Sequence, residues 1–180
     1  TGGIADQSID DQDNALGVGF DGSGMTTLET TLMSPPWQGD GGFEQAGLWA
    51  GIHEDTYVKG VLIDNPGGMA VQIRSERAPG SIDGTVTTPL GIASSPGSLR
   101  LVLTINQATN QAALSYSVNG GALVSAGTVP VSASIFAGVD PDGGGTSGPT
   151  PDNTTLGGIF ASHRGGTPSV YTFGDFLVTK

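Results

Sequence analysis

The chain has no cysteine among its 180 residues. That excludes a disulfide framework, Cys-ligated zinc, iron–sulfur clusters and thiol catalysis, and it leaves secretion open, because a domain of this length need not be stapled. Basic residues are scarce: 6 Lys plus Arg stand against 17 Asp plus Glu, for a formal net charge of -11. So few cations cannot neutralise many phosphates, so neither a nucleic-acid partner nor a dependence on anionic lipid is expected. No apolar run approaches the ~20 residues that cross a bilayer, so no membrane insertion is expected. Glu is rare too, at 4 against 13 Asp. Asp belongs to loops and turns, whereas solvated helix faces use Glu and Lys, so a helical bundle is disfavoured.

What is abundant is glycine, 31 residues, well above an average share of about 7%. Short alternating segments lie between clusters of Gly, Pro, Asn and Asp. The clearest is 99–105, where Leu99, Leu101, Leu103 and Ile105 share one face. In 111–118, Ala112, Leu114, Tyr116 and Val118 do the same; Asn119-Gly120 then supplies the positive φ angles of a tight hairpin turn into 122–129. The stretch 98–129 therefore reads as a three-stranded meander. Segments 25–33, 43–52, 56–64, 69–77, 156–162 and 169–179 read as further strands. The best helix candidate is short, 131–139. Many short strands separated by turns fit an antiparallel sandwich.

Two stretches break the rhythm. Residues 140–153 (DPDGGGTSGPTPDN) hold no apolar side chain beyond proline and read as a long surface loop. Residues 1–14 read as an irregular acidic segment. Neither divides the chain, so one domain over 1–180 is expected, cut from a longer secreted or cell-surface protein.

Gln45-Ala46-Gly47-Leu48-Trp49, Asp55-Thr56-Tyr57-Val58-Lys59 and Gly68-Met69-Ala70-Val71-Gln72 resemble a pattern of concanavalin A-like (laminin-G-like) jelly rolls in bacterial extracellular proteins. The hairpin at 99–121 and the closing Phe173-Gly174-Asp175-Phe176-Leu177-Val178 are similar to segments of the same domains. The resemblance implies a two-sheet antiparallel jelly-roll sandwich. For function it implies a carbohydrate-binding module, part of a glycoside hydrolase, or an adhesin or spacer domain. The 140–153 loop departs from the pattern.

Sugar rings stack on flat aromatic side chains, and their hydroxyls pair with planar polar groups. On the strands 43–52, 56–64 and 69–77 the face opposite the core would present Trp49, Tyr57, Lys59, Gln72, Arg74 and Glu76. Trp49 reads either as a sugar platform or as a packing residue. Trp37 reads either as a binding-loop aromatic or as a plug over the sandwich edge, and His53 as a rim residue. Arg74 and Glu76, two apart on one strand face, are placed to pair. Lys59, Arg74 and Arg77 make a local basic spot suited to a uronic acid or a sulfate ester.

Hard cations take several oxygens from carboxylates and carbonyls. Asp140, Asp142, Asp152 and Asn153 supply them on one loop, and Asp21 supplies another near the N-terminus, so structural calcium is expected. An EF-hand is not, because Pro151 stands where the closing Glu is required. Catalysis finds little footing. His53-Glu54 begins an H-E-x-x-H motif that Tyr57 breaks. No carboxylate spacing of a jelly-roll glucanase is present. The reading is a polysaccharide- or glycan-binding module with structural calcium. A structural or protein-binding domain of an adhesin, and a glycoside-cleaving domain, stand as alternatives.

Overall fold

The computed structural model describes residues 5–6, 9–10, 14–37, 39, 41–138, 154–164 and 166–180. It is an all-β sandwich with one turn of helix. The strands are β1 (Ala5–Asp6), β2 (Ile9–Asp10), β3 (Ala15–Asp21), β4 (Met25–Met33), β5 (Gln45–His53), β6 (Thr56–Asn65) and β7 (Gly68–Glu76). After them come β8 (Ile82–Pro89), β9 (Ser98–Asn106), β10 (Gln111–Val118), β11 (Val124–Pro130), α1 (Ser134–Ala137), β12 (Thr154–Ser162) and β13 (Thr172–Thr179). One sheet has five strands in the order β11-β10-β9-β4-β13, and the other has six in the order β3-β12-β5-β6-β7-β8. Every pairing is antiparallel. The chain changes sheet between β3 and β4, β4 and β5, β8 and β9, β11 and β12, and β12 and β13, which is the jelly-roll path expected.

The alternating residues fall where their period puts them. Leu99, Leu101, Leu103 and Ile105 of β9 meet Ala46, Leu48 and Ala50 of β5, Val58 and Leu62 of β6, and Met69, Val71 and Ile73 of β7 in one buried core. Each fully buried Leu or Ile there contributes about 1.5–3 kcal/mol. Two details show why the sheets close tightly. A Cβ on Gly60 would lie 2.6 Å from Leu114, so only glycine lets β6 approach β10 at that point. Asn119 and Gly120 take φ of 52° and 71°, the left-handed pair of a tight hairpin turn.

Three expectations are corrected. β3 and β8 were not foreseen; both are edge strands, where one side has no ladder partner and the apolar pattern is weak. The helix over 131–139 shrinks to a single turn, since Gly138 takes a left-handed φ of 64° and ends it. The acidic N-terminal segment holds a short ribbon, β1 paired with β2. The 140–153 loop lies outside the described residues.

Candidate functional site

The face of the six-stranded sheet turned away from the core gathers the side chains expected to bind ligand. Trp49 stands opposite Lys59, and Lys59 opposite Arg74, so three neighbouring strands contribute one row. Tyr57 and Glu76 face each other in the adjacent row, and Gln72 stands opposite Val61 in the row on the other side.

That face is far less solvated than the sequence suggested. Lys59 is 1% exposed, Tyr57 3% and Glu76 0%. The physical reason is a second apolar cluster of Val61, Ile63, Ala70 and Phe160, with Trp49 packed against it. The Lys59 ammonium sits 5.7 Å from the Tyr57 ring centroid and 6.0 Å from that of Phe160, within cation–π range. Tyr57 donates a hydrogen bond to Glu76 Oε2 at 3.2 Å, and the Gly80 amide donates to Oε1 at 2.7 Å. Glu76 thereby anchors the turn that follows β7.

Trp49, Gln72 and Arg74 are half-buried and form the more accessible part of the face. Trp49 leans across β12 toward β3, where a Cβ on Gly17 would be 3.1 Å from its ring. Its indole N–H is buried with no acceptor. Gln72 Nε2 donates to Thr87 Oγ1 of β8 at 2.9 Å. Sequence reasoning left Gln45 out of the candidate set. It is fully buried on this same face, opposite Ser162 and Ile63, and neither atom of its amide has a hydrogen-bond partner. The available signal was its parity with Trp49, four residues further along β5.

The remaining candidates lie elsewhere. Trp37 packs half-buried against the main core, which is the plug reading. His53 is buried at the β5–β6 turn, not on a rim. Its Nδ1 lies 3.1 Å from the Asp55 amide, which donates to it, and 3.8 Å from Asp55 Oδ2. Asp21 is exposed at the end of β3. It accepts from the Ser23 amide and hydroxyl, both at 2.9 Å, and faces Lys180 Nζ at 3.2 Å. These hydrogen bonds, with Lys180 behind them, lower its pKa to about 2. Asp140, Asp142, Asp152 and Asn153 lie outside the described residues.

Where β3 begins, a cleft of about 440 Å³ opens between the sheets, walled by Leu16, Ile159, Phe160, Ser162, Tyr171 and Phe173. Burial, and then the charges of nearby Glu44 and Asp64, push the Tyr171 phenol well above its ordinary pKa. The cleft's volume is in the range of small-ligand sites, and its lining mixes these wall residues with Asn14, His163 and Ser169.

No protein-family model matches the chain, and no curated protein matches it in sequence. Its fold is similar to that of a functionally unknown protein from Saccharomyces cerevisiae, at 16% identity and a TM-score of 0.62 over 99% of this chain and 82% of that one. It is also similar to a xylan β-1,4-xylosidase from Bacillus halodurans, at 18% identity and a TM-score of 0.60 over 88% of this chain and 28% of that one. A GH43 protein from Bacillus licheniformis matches at 24% identity and a TM-score of 0.56 over 86% of this chain and 26% of that one. These likenesses show the fold. The chain spans about a quarter of the length of the two Bacillus chains.

Proposed function

We propose that this chain is a non-catalytic carbohydrate-binding module of a larger secreted or cell-surface protein. A polysaccharide would lie along the outer face of the six-stranded sheet, on the half-buried strip of Trp49, Gln72 and Arg74. The observation that carries the reading is the half-buried strip of Trp49, Gln72 and Arg74, which puts an aromatic ring, an amide and a guanidinium on one face of the sheet. A partly exposed aromatic beside planar polar groups is what a sugar ring requires. The names of the Bacillus proteins, a xylosidase and a GH43 protein, lend the reading a carbohydrate context. Structural calcium in the 140–153 loop is part of the same proposal.

A panel of soluble glycans and insoluble polysaccharides tests it, run with calcium and again with chelator. The expected result is specific binding that Trp49→Ala removes and Gln72→Ala weakens, with the fold intact by circular dichroism. No binding by the intact wild-type fold under either condition overturns it. The burial of Tyr57, Lys59 and Glu76 favours a second reading, a structural or partner-binding domain, which that negative result would put in front.

A further inference from the structure

The backbone pairing of β5 and β6 continues one step past β5. Asp64 N donates to the Glu44 carbonyl at 2.9 Å, and Phe43 N donates to the Asp64 carbonyl at 3.0 Å. Glu44 and Asp64 are therefore direct cross-strand neighbours, and by alternation both side chains fall on the core side of the sheet. Two acidic residues opposite each other in a ladder repel. Here both are also withdrawn from water, at 2% and 6% exposure.

Each carboxylate is half satisfied. Glu44 Oε1 accepts the Thr167 amide at 2.7 Å, and Asp64 Oδ2 accepts the Gly39 amide at 2.8 Å. The other oxygen of each, Glu44 Oε2 and Asp64 Oδ1, is buried with no hydrogen-bond partner among the described residues. The walls around Glu44 are bare main chain. A Cβ on Gly42 would sit 2.9 Å and 3.0 Å from its two carboxylate oxygens, and a Cβ on Gly166 would collide with the same carboxylate. The two glycines thus let main chain pack directly against the Glu44 carboxylate.

Burying two carboxylates as a charged pair is costly unless a cationic partner or a bound metal ion compensates them. From this arrangement we infer that Glu44 and Asp64 form the acidic half of a binding site for a hard divalent cation of the calcium class, which does not draw on the sheet face proposed for glycan and uses other carboxylates than those of residues 140–153. Among the described residues no third His, Asp or Glu side chain joins the pair, so what these residues add to it is main-chain carbonyls, with water. That is ordinary for calcium, which takes six to eight oxygens, and poor for zinc, which takes nitrogen and sulfur. The pair does not serve glycoside cleavage: catalytic carboxyls must flank a sugar in an open groove, and these are 2% and 6% exposed.

Terbium is the probe, because it substitutes for calcium at oxygen sites and an adjacent indole sensitises its emission. Gly39 links the two: its amide holds Asp64, and a Cβ on it would lie 3.5 Å from Trp37 Nε1. The chelator-treated chain should show sensitised terbium emission that calcium displaces and Trp37→Phe diminishes. Its Tm should rise with calcium concentration. Glu44→Gln and Asp64→Asn, which keep an oxygen for the Thr167 and Gly39 amides, should each weaken calcium binding by at least about tenfold. Asp142→Asn should leave that binding unchanged. The inference is overturned if the wild type shows neither response, if both Glu44→Gln and Asp64→Asn keep wild-type affinity, or if Asp142→Asn alone abolishes binding. Because none of these readouts uses a sugar, failure here is separate from failure of the glycan proposal.

Discussion

Along β9, the buried Leu99, Leu101, Leu103 and Ile105 alternate with the half-buried Arg100, Val102 and Thr104. Along β6, every residue from Thr56 to Asp64 is buried. The first strand belongs to a sheet with one face on the core and one near water. Its outer positions carry hydroxyls and a charge pair: Thr27 and Thr104 share a hydrogen bond at 3.2 Å, and Arg100 binds Glu29 through two at 2.6 and 2.7 Å. The second strand lies in a sheet buried on both faces around its centre, and its outward positions still hold Tyr57, Lys59 and, across the ladder, Glu76. Burial on both sides erases the alternation in exposure but not the alternation in chemistry. The polar side chains that remain there are held in place by specific partners.

Mutations in the two sheets should separate these cases. The shared core is expected to give the largest effect. Leu103→Ala leaves a cavity where the side chain is fully buried and should cost about 2–5 kcal/mol, read as a lower urea midpoint at unchanged slope. Next comes a matched pair of glutamates. Glu76→Ala strands the Gly80 amide and the Tyr57 hydroxyl and should cost about 2–4 kcal/mol. Glu29→Ala removes a pair whose side chains are 43% and 27% exposed, and should cost less than about 1 kcal/mol. Equal costs for the two glutamates would break the distinction between the sheets.

The sequence made the five-stranded sheet legible because each of its central strands has one wet face. The meander at 98–129 follows directly from the Leu99–Ile105 period and the Asn119-Gly120 turn. β3 escaped notice because Gly17 and Gly19 interrupt it and Leu16, at 67% exposure, serves no core. β8, with Thr85, Thr87 and Thr88 beside Gly84, carries as little apolar signal. On the six-stranded sheet, parity alone placed Trp49, Lys59 and Arg74 together. What it could not foresee was that Val61, Ile63 and Phe160 share their face and exclude water from it. The Glu44–Asp64 pair was in principle countable outward from the β5–β6 turn. A register shift between Gly51 and His53 displaces that count by one residue, and one residue in a ladder decides which side chains meet.

The smallest expected effect concerns a contact between the two sheets that is wholly in solvent. Asp21, at the end of β3, holds the Ser23 turn and faces Lys180, which follows β13 in the other sheet. Its folded pKa lies at about 2, below its ordinary value of 3.8. A depressed carboxylate pKa means that the unfolded chain takes up the proton first as the solution is acidified. Its stabilising contribution is thus complete above about pH 4 and disappears as pH falls through about 2. Asp21→Asn should therefore flatten the decline of stability between about pH 4 and 2, while leaving the Leu103→Ala and Glu76→Ala differences at neutral pH untouched. Because the group is exposed, raising the salt concentration should shrink the Lys180 share of the effect but not the share held by the Ser23 hydrogen bonds. An unchanged acid slope in Asp21→Asn would mean that this turn adds nothing to the joining of the two sheets, and that their association rests on the shared core and on the Ser75–Pro130 and Thr88–Ala126 hydrogen bonds.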